Sequence, residues 1–371
     1  MIPMFDVHAV VKNLGERLDR QLRAAIEDGR FILGPAVDDL EDRIARYAGA
    51  TNATGVASGT DALRIAMLSR RIGPGDAVFV PAFTFVATAE AVVSVGATPI
   101  FVDIRADDFT MDTQDLAQKL HSVKAEGSLR PSAVIAVDLF GLPARYDELA
   151  PIAEDSGLVL IGDAAQAFGA SLGPRKVGTL APITALSFYP TKPLGCFGDG
   201  GALLSTVEGD DVLFRELRQH GFDRDRRTIE RPGLNSRLDS LQAAVLLARL
   251  EQFDEELKRR REIAGWYRQL LASTVICPQE VPDRQSAWAV YAIRSSKRDA
   301  IRSRLSEAGI ASAIFYPRPI CDYQAYSPFR KFAGELEVSR QVCGDILALP
   351  MHAFLKKEEV DRVADTVGKS V

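Results

Sequence analysis

The stretch SAVIAVDLFGLPARYDELAPIAEDSGLVLIGDAAQ, Ser132–Gln166, holds two apolar runs separated by a glycine turn and a segment with helical spacing. Each run is almost continuously apolar. That pattern belongs to a strand buried on both faces, and two such strands joined through a helix form a parallel pair. The same alternation lies upstream in DAVFVPAF (76–83), a helical TAEAVVSVG (88–96) and TPIFVDI (98–104). The spacing therefore predicts an α/β fold with a mostly parallel central sheet flanked by helices. In such sheets ligands sit beyond the carboxyl ends of the strands. Phe85, Asp163 and the segment after Ser187 fall at such ends.

Upstream, AVDDLEDRIARYA (36–48) has one apolar helix face, and Gly34-Pro35 reads as the turn that starts it. TNATGVASGTDALRIAML (51–68) reads as a strand, a glycine turn and a helix starting near Asp61, an anion-binding arrangement in prospect. Composition shifts after Gln242. Residues 242–271 read as one long amphipathic helix. Strand candidates AWAVYAI and ASAIFYP and helices KRDAIRSRLSEAG and KKEEVDRVADTVG follow. A large domain over 1–248 and a small C-terminal α+β domain over 249–371 are expected. The 371-residue length agrees with about two domains at roughly 150 residues each.

A net charge of −5 and a pI near 5.6 lack the basic surplus of a nucleic-acid binder. Cys196, Cys277, Cys321 and Cys343 are scattered without metal-ligand spacing, so no metal is expected and a reducing compartment is. No apolar run has the ~18 residues of a membrane span, and the N-terminus has no signal-peptide pattern. The expectation is a cytoplasmic protein that engages neither membrane nor nucleic acid.

SFYPTKPLGCFGDGG (187–201) places Lys192 in a glycine-rich loop, 29 residues after Asp163 closes the apolar strand LVLIGD. An amine, a partly desolvated acid and anion-binding groups at Ser58–Asp61 and Ser187 together suit pyridoxal phosphate (PLP). Taken singly, Lys192 reads equally as a surface charge, Asp163 as a helix N-cap, Ser58–Asp61 as a plain helix start and Phe85 as core.

The motifs SGTDAL, PAFTFVATAEAV, VDLFGLPA, GDAAQAFGA, SFYPTKPLGCFGDGG and GLNSRLDSLQAAVL resemble those of the DegT/DnrJ/EryC1/StrS aminotransferases, fold type I PLP enzymes acting on nucleotide-linked keto sugars. The likeness runs from FILGP (31–35) to LPMH (349–352). KPLGCFGDGG and RQHGFDRDRR look most like the members that aminate C3 of a UDP-linked 2-acetamido-3-keto-hexuronate.

By that resemblance Lys192 would carry the internal aldimine and shuttle protons. Asp163 would pair with the pyridine nitrogen, Gln166 would bond the ring hydroxyl and Phe85 would stack on the ring. Gly59, Thr60 and Ser187 would hold the phosphate, with Asn235 reaching it from the other subunit of a homodimer. Arg237 and Tyr316 would face the sugar, and Arg237 reads evenly as a carboxylate clamp or as a structural partner of Asp239 or the following helix. The implied donor is L-glutamate and the implied setting is lipopolysaccharide or other glycan assembly. Phe315 and Cys321 stand where many members have histidines, both at positions that tend to face the sugar nucleotide. A sugar dehydrase of the family would replace the lysine with histidine. An aromatizing synthase keeps the lysine, and a non-catalytic regulator would have lost these groups.

Overall fold

The structure, a computed structural model, describes every residue except Arg226, which belongs to the RQHGFDRDRR segment, and Val371; both lie outside the described residues. Strands β1 (Asn52–Val56), β2 (Asp76–Pro81), β3 (Thr98–Val102), β4 (Arg130–Val137), β5 (Val159–Asp163), β6 (Ile183–Ser187) and β7 (Gly201–Ser205) form one sheet in the order β1-β7-β6-β5-β4-β2-β3. β2, β3, β4, β5 and β6 pair in parallel, while β7 runs antiparallel to β6 and to β1. The apolar runs are buried on both sides, as a sheet between two helical layers requires.

Helices α1 (Val7–Leu14), α2 (Glu16–Asp28), α3 (Pro35–Ala48), α4 (Gly59–Ser69), α5 (Ala87–Ser94), α6 (Thr113–Glu126), α7 (Tyr146–Ser156) and α8 (Asp210–Leu217) cover the sheet. Two apolar clusters fill the layers, one around Leu40, Phe79 and Leu246, the other around Leu63, Val80 and Ile135. α4 begins two residues earlier than expected, at Gly59, because Ser58 caps it by accepting a hydrogen bond from Asp61 N at 3.1 Å.

The expected long helix over 242–271 is two helices, α9 (Ser240–Leu250) and α10 (Phe253–Leu271). Gln252, at φ −117° and ψ 5°, breaks the register. The break turns Phe253 into the core, 5.4 Å from the Phe168 ring and 5.6 Å from the Tyr47 ring. Asp254, Glu255 and Glu256 then occupy the first turn of α10, where the helix dipole favours acids.

The remaining chain forms α11 (Arg298–Glu307), α12 (Glu337–Asp345), α13 (Lys357–Gly368) and a two-stranded antiparallel sheet of β8 (Tyr291–Arg294) and β9 (Ile346–Leu349). ASAIFYP is not a strand; it touches β9 through one bridge, Ala313 to Ala348. A third apolar cluster joins α10, α13 and this sheet, and Ile2 at the opposite end of the chain packs into it. No helix among the described residues is long and apolar enough to cross a membrane.

Candidate active site

At the carboxyl ends of β4, β5 and β6 lies a cavity of about 500 Å³. Gly59, Thr60, Phe85, Asp163, Gln166, Ser187, Lys192 and Tyr316 all line it. The chain thus gathers side chains from positions 59 to 316 at the place the sheet topology favours.

Asp163 ends β5 and is 6% exposed. Its Oδ2 accepts a hydrogen bond from Thr88 Oγ1 at 2.8 Å, and its Oδ1 accepts one from Ala165 N at 3.2 Å. Burial pushes its pKa up, opposed by these two donors and by the charge of Lys192. The segment after Asp163 is a series of turns rather than a helix, so Asp163 is no helix cap.

Lys192 is half-buried on the cavity wall, and its backbone N–H donates to Tyr189 O at 2.9 Å. Desolvation lowers its pKa and the nearby Asp163 charge opposes that shift. α9 anchors the loop that carries it. Buried Arg249 donates to Gly195 O at 2.8 Å and Pro193 O at 3.0 Å, with Glu256 at 2.9 Å balancing its charge. Gln242 Oε1 accepts from Phe197 N at 2.9 Å.

The N-terminus of α4 abuts the end of β6. A Cβ at Gly59 would stand 2.8 Å from Ser187 Cβ, and one at Gly201 would stand 2.5 Å from the Ser58 carbonyl carbon. Glycine at both positions lets a helix N-terminus and the Ser187 hydroxyl share one corner, a donor set suited to a phosphate.

Gln166 has a fixed orientation: its Oε1 accepts from Phe140 N at 2.7 Å, which leaves Nε2 to donate to Tyr316 Oη at 3.3 Å. Burial raises the Tyr316 pKa, so this hydroxyl stays neutral. Phe85 is 53% exposed, with its ring 6.2 Å from that of Tyr316.

Asn235 and Arg237 are not among the residues lining the cavity; Asn235 is exposed and bridges to Gln219. Asp239 forms no side-chain cap on α9. Phe315 lines the cavity, whereas Cys321 is fully buried beside Asp322 and away from it, so only one of the two departures from histidine faces the site. Sequence reasoning missed Thr84, Thr88, Tyr189, Asp199 and Phe5, which also line the cavity. For Thr84 and Thr88 a signal exists: hydroxyls four apart in an otherwise apolar segment. None marks Phe5.

A buried acid, a desolvated amine and a donor-rich helix N-terminus at the strand ends of such a sheet fit PLP group by group. They define a PLP-dependent transferase of the α/β class. Residues 12–368 match the DegT/DnrJ/EryC1/StrS aminotransferase family, and the chain belongs to it. It is 37% identical to the UDP-2-acetamido-2-deoxy-3-oxo-D-glucuronate aminotransferase of Pseudomonas aeruginosa over 96% of either protein. It is 36% identical to the dTDP-3-amino-3,4,6-trideoxy-α-D-glucose transaminase of Streptomyces venezuelae, over 99% of this chain and 95% of that one. A crystal structure of a DegT/DnrJ/EryC1/StrS aminotransferase from Brucella abortus superposes with a TM-score of 0.96 at 39% identity, covering 99% of this chain and 98% of that one. The family is PLP-dependent, and PLP is the cofactor of this chain.

Proposed function

We propose that the protein transfers an amino group from an amino acid, L-glutamate by family resemblance, to C3 of a UDP-linked 2-acetamido-3-keto-hexuronate. The observation that carries the transferase reading is the meeting of Lys192, Asp163, Ser187 and the α4 N-terminus on one cavity. Similarity to the P. aeruginosa aminotransferase supports the substrate class.

The cofactor supplies an electrophilic carbon and a cationic ring that stores the electron pair left when a carbon loses its proton. Asp163 would hold the positive charge of the bound ring, Gln166 would offer an Nε2 hydrogen to its hydroxyl and Phe85 would pack against it. Gly59, Thr60 and Ser187 would bind the phosphate. Lys192 Nζ takes the proton from the donor Cα and later delivers one to the sugar carbon. Desolvation serves this step, because a lowered pKa leaves more of the amine neutral near pH 7. Tyr316, a neutral hydroxyl, faces the sugar.

Among the described residues lining the cavity, Lys192 is the one cation, beside the carboxylates of Asp163 and Asp199. A nucleotide sugar brings a diphosphate, and a hexuronate adds a carboxylate, so further cations must come from elsewhere. We assign them to a second copy of the chain: a homodimer in which Asn235 reaches the phosphate and Arg237 the C6 carboxylate of the partner's site. The four free thiols suit a cytoplasmic setting.

The test is amino-sugar formation from the UDP-3-keto-hexuronate and L-glutamate, for wild type and Arg237→Lys. Lysine cannot reproduce a bidentate guanidinium–carboxylate pair. The variant is expected to raise KM about tenfold or more for the uronate, the value of one charge-assisted bond, and far less for the 6-hydroxy analogue. An equal loss on both sugars contradicts the carboxylate role.

A further inference from the structure

A buried carboxylate keeps one orientation when its oxygens are hydrogen-bonded. Among the described residues each oxygen of Asp163 has one hydrogen-bond donor: Ala165 N on Oδ1 and Thr88 Oγ1 on Oδ2. Thr88 is 1% exposed, lies in the first turn of α5 and lines the cavity. Helical threonines commonly bond a carbonyl of the preceding turn. Thr88 instead directs its hydroxyl to an acid 75 residues away. Thr84 Oγ1 lies 3.4 Å from Thr88 Oγ1.

A hydroxyl has a single proton. When Asp163 is charged, Thr88 must give that proton to Oδ2, and Thr84 then donates to Thr88. The two hydroxyls form a relay pointed toward the acid, and its bond to Oδ2 is stronger when the acid is ionised.

We propose that Thr88 is a positioning residue for the reaction: its hydroxyl aims the Asp163 carboxylate and keeps it charged for the cationic ring nitrogen. This rests on the PLP reading above. Phe85, which would pack against the ring, lies three residues before Thr88, just ahead of α5, so one short segment would supply both a face for the ring and the bond to the acid.

The other groups facing Asp163 do not replace Thr88. Lys192 is the amine across the cavity, and taking a proton requires its neutral form, so its charge is no constant partner for the acid. Asp138 follows the neighbouring strand, fully buried, and burial pushes its pKa up to about 8, so it offers Asp163 no compensating positive charge. Tyr146 and Tyr316 are neutral phenols with raised pKa values. Burial raises the Asp163 pKa and the Thr88 bond lowers it. Loss of the hydroxyl therefore raises that pKa further, and the acidic limb of any step that needs ionised Asp163 moves to higher pH.

The experiment compares wild type, Thr88→Val, Thr88→Ser and Asp163→Asn. It measures PLP affinity of each apoprotein by fluorescence titration and the pH dependence of the glutamate half-reaction. Removing one hydrogen bond to a charged group is expected to weaken PLP binding in Thr88→Val about tenfold and to move its acidic limb up by about one pH unit. Its kcat falls with little change in glutamate KM, and Thr88→Ser restores both readouts. If Thr88→Val does not fold, Thr88→Ala carries the same comparison. Wild-type affinity and pH limb in the hydroxyl-free variant, with both lost in Asp163→Asn, would overturn the role of Thr88 alone. Wild-type behaviour of Asp163→Asn would overturn the PLP reading together with it.

Discussion

At the scale of single residues, Lys192 and Asp163 hold each other's charge in a place that favours neither. Burial lowers the pKa of the amine and raises that of the acid, and each partner opposes the other's shift. Such mutual dependence is characteristic of functional sites. Lys192 was legible because proline and four glycines around it make a poor setting for a merely solvated lysine. Thr88 was not, since its role depends on an acid distant in the chain. Gly201 gives a direct test of the phosphate corner. A Cβ there would lie 2.5–2.7 Å from backbone atoms of Ser58 and Gly59, and none of these can rotate away. Gly201→Ala is expected to destabilise the apoprotein by about 1–3 kcal/mol in urea unfolding and to weaken PLP binding. A variant as stable as wild type would mean that α4 does not sit tightly on β7.

At the scale of elements, strands were read well where burial on both faces left no ambiguity, as in β2, β4 and β5. The division of α9 from α10 was not, because the apolar stripe continues in register through Glu251 and Gln252 on the sequence. What separates the helices is Phe253 turning toward Phe168 and Tyr47, a tertiary demand with no local mark. ASAIFYP failed as a strand for a related reason: its aromatics fill the cavity wall rather than pair in a sheet. The placement of α9 matters to the site, since Arg249 and Gln242 hold the Lys192 loop. Arg249→Met would free two carbonyls and leave Glu256 buried without its cation. The expected cost is about 3–5 kcal/mol in chemical unfolding, much of it recovered by adding Glu256→Leu. No recovery in the double variant would show that the loop contacts, rather than the stranded charge, carry the cost.

At the scale of the whole molecule, the sheet brings residues from Phe5 to Tyr316 to one cavity, and yet Asn235 and Arg237 lie apart from it. The side chains expected to hold the cofactor meet at one cavity because they sit at or near strand ends, where topology dictates position. Asn235 and Arg237, proposed to act across two copies of the chain, have no such local constraint, and their roles rest on resemblance. The account stands or falls on Lys192 as the lysine that carries the cofactor. The most direct measurement is the absorbance spectrum of the purified holoprotein, with and without L-glutamate, for wild type and Lys192→Ala. The prediction is a visible band in the wild type that glutamate converts to the pyridoxamine form, and no lysine-bound band in the variant. The same lysine-bound band in both proteins, or a wild type that binds no PLP, would contradict it.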